Sequence, residues 1–116
     1  MQLVQIYQCL CDETRLRIIH LLTNGPLCVC HLQDILDLPQ TRISQHLAYL
    51  RQRGLVESER RGTWMIYSLP ARPEPELEKH LKCLQDCVTS DKMFRDDLKK
   101  LRKAKPSITA ATSCAC

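Results

Sequence analysis

At 116 residues, of which 44% are hydrophobic, the chain can bury one compact core and has little room for a second domain. No apolar run approaches the roughly 20 residues that a bilayer span requires, and the N-terminus lacks the basic segment and cleavage-type site of an export signal. We therefore expect a cytoplasmic protein that does not bind membranes. The formal net charge is +4, and basic residues concentrate in the zones 40–62 and 91–105. This distribution is compatible with phosphate contact at one zone and a solvated helix face at the other.

Eight cysteines occur as close doublets. In a secreted chain they would predict disulfides, but the reducing cytosol favours free thiols and therefore metal or redox chemistry. The doublets are Cys9/Cys11, Cys28/Cys30, Cys83/Cys87 and Cys114/Cys116.

Two helical segments are predicted at the N-terminus. Residues 3–10 have the apolar spacing of a short amphipathic turn or two, and a helix follows from about 12 to 23. Asp12 is a candidate N-cap for this helix, and Asn24-Gly25-Pro26 ends it.

The next two helices form a helix-turn-helix. The first follows Gly25-Pro26 and ends at Leu38-Pro39, and the second begins with Thr41 as its N-cap and closes at Gly54. Only a short break separates them, which is typical of a helix-turn-helix. The residues predicted to face the core are Leu32, Ile35, Leu36, Ile43, Leu47 and Leu50.

A β-hairpin is predicted directly after this pair. Side chains alternate along residues 55–69, and Arg61-Gly62-Thr63 supplies the turn. A helix-turn-helix followed by a hairpin is the winged-helix arrangement, so the predicted fold class is mostly α with a β-hairpin wing.

The C-terminal part is predicted to be a long helix, broken near Ser90, after a proline-rich link. Its apolar seam has no obvious partner within so small a domain, so we expect a second copy of the chain to cover it. The seam consists of Leu77, Leu81, Leu84, Val88, Phe94, Leu98 and Leu101. We place the DNA-binding and dimerisation domain at residues 1–103 and a flexible, cysteine-containing tail at 104–116.

The outward face of the second helix of the pair and the hairpin tip predict contact with DNA. Arg42 and Gln45 suit base edges, whereas Ser44 and Tyr49 suit phosphates. The alternatives are that the hairpin tip is an ordinary solvated turn and that His46 is an ordinary exposed histidine without a DNA contact. The predicted DNA-binding residues are Thr41, Arg42, Ser44, Gln45, His46, Tyr49, Arg60, Arg61 and Thr63.

Over roughly residues 3–69 the sequence resembles the ArsR/SmtB family of metal-responsive winged-helix repressors, of the arsenic-sensing type. The matching segments, in order, are "LCDETRLRIIHLL", "LCVCHLQDIL" and "ISQHLAYLRQRGLVESERRGTWMIYSL". The resemblance implies a homodimer, formed through the first and last helices, that binds a palindromic operator and leaves it when an inducer ion binds. Arsenical resistance operons are the commonest setting of such repressors. We do not expect an enzyme, because no nucleophile, base and oxyanion donors are paired in the sequence.

The resemblance also implies an ion site at Cys28 and Cys30. The arsenic-sensing branch typically carries Cys-Val-Cys-Asp-Leu-Cys here, whereas His31 and Gln33 replace its aspartate and third cysteine. Successive helical residues turn by about 100°, so the two thiols converge only if Cys28 lies at or before the first turn. The alternative is that both are packed small residues.

Two sulfurs do not complete such a site, because As(III) takes three and Cd, Pb or Zn often take four. We expect the inducer to be As(III) or Sb(III), organoarsenicals included, with Cd, Pb or Zn as alternatives. Cys9 and Cys11 are interpreted as core residues, and Cys83 and Cys87 could also form a separate site or flank the seam. The candidates for the third ligand are Cys83, Cys87, Cys114 and Cys116.

Two other functions use the same cysteines. A repressor of this family could be switched by oxidation of Cys28 and Cys30 or of the tail doublet. A metallochaperone or thiol enzyme belongs to a different class, and it leaves the basic hairpin tip and the outward helix face unexplained.

Overall fold

The computed structural model describes the backbone of residues 3–110 and the side chains of residues 3–104. Its elements are α1 (Leu3–Leu10), α2 (Glu13–Leu22), β1 (Leu27–Cys28), α3 (Val29–Leu36), α4 (Gln40–Gln52), β2 (Glu57–Arg61), β3 (Trp64–Ser68), α5 (Pro75–Cys87), a 3₁₀ turn (Val88–Ser90) and α6 (Lys92–Ala110). The strands form one antiparallel sheet in the order β1-β3-β2. This architecture confirms the predicted winged helix-turn-helix.

Helix α2 begins where the sequence predicts. Asp12 is its N-cap, and the side-chain carboxylate accepts a hydrogen bond from the backbone N–H of Arg15 at 2.9 Å. That hydrogen bond lowers the pKa of the Asp12 carboxyl. Ile6 and Cys9 of α1 are fully buried in the same core as α2, so the two helices pack as one unit.

The two helices of the helix-turn-helix bury the residues that the sequence predicts on their inner faces. The start of α4 differs, because its N-cap is Pro39 and not Thr41. The Pro39 carbonyl accepts the backbone N–H groups of Arg42 and Ile43, whereas Thr41 is exposed in the first turn. Proline suits this position because an N-cap needs no N–H donor within the helix.

The end of α4 is fixed by Gly54, as predicted. Gly54 has a φ of 79°, which a side chain would disfavour. Its N–H donates to the Arg51 carbonyl at 3.1 Å, and the N–H of Leu55 donates to the Leu50 carbonyl at 3.0 Å. This pair of bonds is the Schellman motif, and it turns the chain from α4 into the wing.

The wing is the predicted hairpin with one additional strand. Gly62, with a φ of 65°, occupies the first position of the two-residue turn between β2 and β3. The additional strand is β1, in which Cys28 pairs with Ile66 of β3. Two residues are too few to show an alternating pattern, so the sequence did not predict this strand.

The C-terminal helices pack on their own chain to a greater extent than the sequence predicts. The break near Ser90 is confirmed, but Leu77, Val88, Phe94 and Leu101 are buried without a second copy. The other seam residues, Leu81, Leu84 and Leu98, pack against the main hydrophobic core. The expectation that the seam lacks a partner within the domain was therefore wrong. An apolar period marks the buried face of a helix but does not identify what covers that face.

Two polar contacts hold α6 to the rest of the domain. The Arg17 guanidinium donates two hydrogen bonds of 2.8 Å to the Asp97 carboxylate, and Lys100 Nζ donates to the Ile35 carbonyl of α3 at 3.4 Å. Helix α6 continues to Ala110, past the expected tail boundary at residue 104, and residues 111–116 lie outside the described part of the chain. Within residues 3–110, no helix is both long enough and apolar enough to cross a membrane.

Candidate ion-binding site and nucleic-acid interface

Cys28 and Cys30 converge at the junction of β1 and α3. Cys28 is the N-cap of α3 and has an extended backbone (φ −90°, ψ 167°), whereas Cys30 lies in the first helical turn. Because Cys28 precedes the helical twist, the two side chains meet on one side of the chain. Their Sγ atoms are 2.8 Å apart, so one ion could contact both sulfurs.

His31 is the third member of this cluster. Its Nδ1 lies 3.2 Å from the Cys28 sulfur and 3.4 Å from the Cys28 backbone N–H, which donates to it. Burial lowers the pKa of His31, against a smaller opposing effect of Asp34, and this direction favours the neutral imidazole that a metal ion requires. One ligand atom from each of the three residues lies within 4.8 Å of the others. We refer to Cys28, Cys30 and His31 as the thiol–imidazole cluster.

Sequence reasoning did not assign His31 to the site. A signal was nevertheless present, because His31 is the third residue after the N-cap, where side chains reach back to the N-cap backbone. In the sequence, His31 was noted only because it replaces the aspartate that the arsenic-sensing branch typically carries at this position.

The cluster touches both the helix-turn-helix and the wing. Cys28 is only 1% exposed and is paired with Ile66 in the sheet, while Cys30 and His31 are half-buried at the start of α3. The cluster therefore lies where α3 meets β3.

The remaining described cysteines lie elsewhere. Cys83 and Cys87 are exposed on α5 and, within the described residues, are not part of the cluster. Cys9 is buried as expected, and burial raises its pKa. Cys11, in contrast, is exposed, so its interpretation as a core residue was wrong. The proposed ligands Cys114 and Cys116 lie outside the described residues.

The predicted DNA-reading residues of α4 fall into two groups. Thr41, Arg42 and Gln45 are exposed, whereas Ser44, His46 and Tyr49 are half-buried. Exposure on one face of a helix that precedes a wing is the arrangement that a major-groove contact requires.

His46 and Tyr49 also hold α4 against the N-terminal helices. His46 Nδ1 is 3.9 Å from the Asp12 carboxylate, and burial lowers the pKa of this imidazole. The Tyr49 ring lies near the guanidinium groups of Arg15 and Arg53, at 4.2 and 3.5 Å from the ring centre. The sequence did not predict these contacts, and the roles of both side chains at DNA stay predictions.

The wing presents Arg60, Arg61 and Thr63 at its exposed end, where Arg61 forms an exposed salt bridge of 3.3 Å with Glu59. Arg51, which the sequence analysis did not select, donates a hydrogen bond from Nη1 to Ser58 Oγ at 3.1 Å. This bond ties the end of α4 to the first wing strand.

These elements define a winged-helix DNA-binding regulator with a candidate ion site at the junction of α3 and the wing sheet. Residues 12–58 match the family described as "Bacterial regulatory protein, arsR family". The chain is 41% identical over 90 residues to the arsenical resistance operon repressor of Escherichia coli K12, covering 73% of this chain and 77% of that protein. It therefore belongs to the ArsR family and is a DNA-binding transcriptional repressor, not an enzyme.

Two further comparisons extend the range of relatives. The structure of HlyU from Vibrio cholerae N16961 superposes with a TM-score of 0.67 at 30% identity, covering 75% of this chain and 91% of HlyU. A cadmium resistance transcriptional regulatory protein, a CadC homolog of Staphylococcus aureus, is 31% identical over 70 residues. That match covers 60% of this chain and 58% of the relative.

Proposed function

We propose that this repressor acts in the cytoplasm as a homodimer that binds operator DNA and is released when a thiophilic ion, As(III) or Sb(III), binds at Cys28 and Cys30. The observation that carries the proposal is the convergence of two sulfurs at the head of α3, with one of them paired to the wing. Arsenical resistance repressors among its relatives support this choice of inducer.

Trivalent arsenic prefers sulfur, and Cys28 and Cys30 supply two of the three sulfurs that it takes. We propose that a cysteine of a C-terminal doublet supplies the third, with Cys114 and Cys116 as the first candidates. His31 orients Cys28 through its hydrogen bonds and keeps the cluster compact.

The proposed DNA contacts are the exposed face of α4, in the major groove, and the tip of the wing, at the neighbouring backbone. In a dimer, two copies of α4 would lie in successive major grooves, about 34–36 Å apart. Arg42 and Gln45 would read bases, and Arg60 and Arg61 would neutralise phosphates.

Homodimerisation is supported by an exposed apolar face on α1. Leu3, Val4 and Tyr7 are 48%, 65% and 52% exposed, and they are the large hydrophobic side chains that the described residues leave in solvent. Tyr7 also packs edge-on against His80 of α5, with ring centres 4.8 Å apart, so this face is continuous with α5. A second copy that covers this face would join the first helix to the C-terminal helices.

The proposed mechanism is a population shift. The bound ion fixes Cys28 and Cys30 in one geometry, which moves α3 relative to β3 and changes the spacing of the two recognition helices. A coupling free energy of about 1–3 kcal/mol would lower operator affinity by about 5- to 150-fold.

The experiment selects an operator from random duplexes and then adds arsenite to the complex under anaerobic, reducing conditions. We expect release of the DNA while the denatured protein retains the mass of the fully reduced chain. Release accompanied by the loss of two hydrogen atoms would identify the oxidation-switched alternative. Failure to select any duplex would contradict the proposed recognition of an operator.

A cadmium-responsive repressor is the second candidate, with Pb or Zn as related ions. The observation that favours it is His31, because two thiolates and one imidazole form a three-ligand set that suits borderline divalent ions. Substituting His31→Ala separates the two candidates. Cadmium affinity should fall much more than arsenite affinity if the imidazole is a ligand, and both should change equally if His31 only orients Cys28.

A further inference from the structure

We propose that Cys83 and Cys87 form a second binding site, separate from the thiol–imidazole cluster, for trivalent arsenic that already carries one organic group. Both residues lie on α5, one helical turn apart, and both are exposed. Their Sγ atoms are 3.9 Å apart, so a single atom could bridge them without unwinding the helix.

Among the described residues, the surroundings of this pair offer an ion no ligand beyond the two sulfurs. Within the described residues, no third cysteine, histidine or carboxylate joins the two sulfurs in a group of mutually close ligand atoms. The nearby His80 is instead packed on the Tyr7 ring. A four-coordinate divalent ion would therefore lack half of its ligands here.

The number of available sulfurs determines the class of ligand. Inorganic As(III) has three positions to fill with sulfur, whereas an arsenic atom that carries one carbon substituent has only two. Condensation of an organic arsine oxide with the pair is balanced as R–As=O + 2 Cys–SH → R–As(S–Cys)₂ + H₂O. Two As–S bonds form, the As=O bond breaks, and arsenic remains trivalent, so no oxidant or reductant is needed.

The protons of the two thiols are accounted for in this reaction. In the condensation, both thiol protons leave as part of the water molecule.

This inference does not depend on the proposed operator release, because binding at α5 can be measured without DNA. The probe is phenylarsine oxide, added to the reduced, full-length protein before alkylation with iodoacetamide. Trypsin cleaves after Lys82 and Lys92, so the peptide 83–92 carries Cys83 and Cys87 and no other cysteine. We expect two alkyl groups on this peptide without the probe and none with one equivalent per thiol pair.

Matched variants separate this site from others. In Cys83→Ser, Cys87 should be alkylated equally fast with and without the probe, because one thiol cannot chelate. In the double variant Cys28→Ser, Cys30→Ser, protection of peptide 83–92 should persist, and circular dichroism should show unchanged helix content in both variants. Arsenite at the same concentration should protect the pair less than phenylarsine oxide does.

Three results would overturn the proposal. The first is alkylation of both thiols despite the probe, and the second is protection of Cys87 in Cys83→Ser. The third is loss of protection in the Cys28→Ser, Cys30→Ser variant, which would mean that the two doublets form one shared site.

Discussion

Arg17 and Asp97 form a bidentate ion pair whose side chains are 15% and 2% exposed. This pair raises the pKa of Arg17, chiefly through the hydrogen bond to Asp97. Substituting Asp97→Asn leaves the largely buried Arg17 guanidinium without its counter-charge, and the free energy of unfolding should fall by about 3 kcal/mol. Urea denaturation followed by circular dichroism measures the change.

The adjacent residue provides the control for this prediction. Asp96 pairs with Lys92 on the exposed face of the same helix, at 3.1 Å. Substituting Asp96→Asn should leave stability unchanged within error, because exposed ion pairs contribute little. An equal loss of stability in both variants would contradict the assigned role of the buried pair.

His20 is a second buried polar group, packed edge-on against Phe94, and its Nδ1 has no hydrogen-bond partner among the described residues. Burial lowers the pKa of His20 below its usual 6.5, and the opposing charge of Asp97 is a smaller effect. The unfolded chain therefore binds this proton more readily than the folded chain does. Stability that is present above pH 6.5 should decline as the pH falls below it.

The substitution His20→Leu should make this decline shallower. The measurement is the free energy of unfolding in urea at several values between pH 7.5 and 5. His31 and His46 have pKa values lowered in the same direction and are present in both proteins, so only the difference between the two profiles reports on His20. Parallel profiles would show that His20 does not contribute to the acid sensitivity.

At the residue scale, the sequence predicted Cys28 and Cys30 as candidates but not their neighbour His31. The doublet can be read directly from the sequence, and Gly25-Pro26 permits Cys28 to lie at or before the first turn of α3. Helical spacing alone does not bring His31 to Cys28, and the signal for this contact was its position three residues after the N-cap.

At the scale of elements, α4 and the wing make different DNA contacts in the proposed function: α4 reads bases, and the wing tip neutralises phosphates. Substituting Arg42→Ala should cost about 1–3 kcal/mol on the selected operator and less on random DNA, because a base contact is lost. Substituting Arg60→Ala should weaken binding to both duplexes equally. The slope of log affinity against log salt concentration should become shallower by about one, because one phosphate contact is lost. Fluorescence anisotropy at several salt concentrations measures both effects.

The control for these variants is Arg102→Ala, which removes an exposed arginine on α6. It should leave operator affinity and its salt dependence unchanged. Equal losses on operator and random DNA for Arg42→Ala would show that Arg42 contacts phosphate and does not read a base.

Most elements could be predicted because their signals are local. The cap at Asp12, the glycine at 54 and the Gly62 turn each determine backbone geometry by themselves. The strand β1 could not be predicted, because two residues are too few to show an alternating pattern and their pairing with β3 is a long-range contact. The sequence also assigned the C-terminal seam to a second copy, although the chain's own core covers it. The helical spacing of apolar residues does not distinguish between these two partners.

At the scale of the whole molecule, the exposed apolar face of α1 should hold two copies together. Substituting Val4→Glu places a charge on that face, and the mass in solution should fall from that of a dimer to that of a monomer. Because Val4 is 65% exposed, the fold of the single chain should survive. Light scattering after size-exclusion chromatography measures the mass, and circular dichroism measures the fold.

Gln52→Glu, an exposed substitution on α4, is the control for the added charge. It should leave the solution mass at that of the dimer. A Val4→Glu variant that keeps the dimer mass would show that another surface forms the interface.

The central claim is that an ion bound at Cys28 and Cys30 releases the operator. The most direct measurement is an arsenite titration of the complex with the selected operator, followed by fluorescence anisotropy under anaerobic, reducing conditions. We predict that the wild type and Cys83→Ser release DNA at similar arsenite concentrations, whereas Cys28→Ser and Cys30→Ser bind DNA normally and stay bound. Release of Cys28→Ser at the wild-type arsenite concentration would contradict the claim.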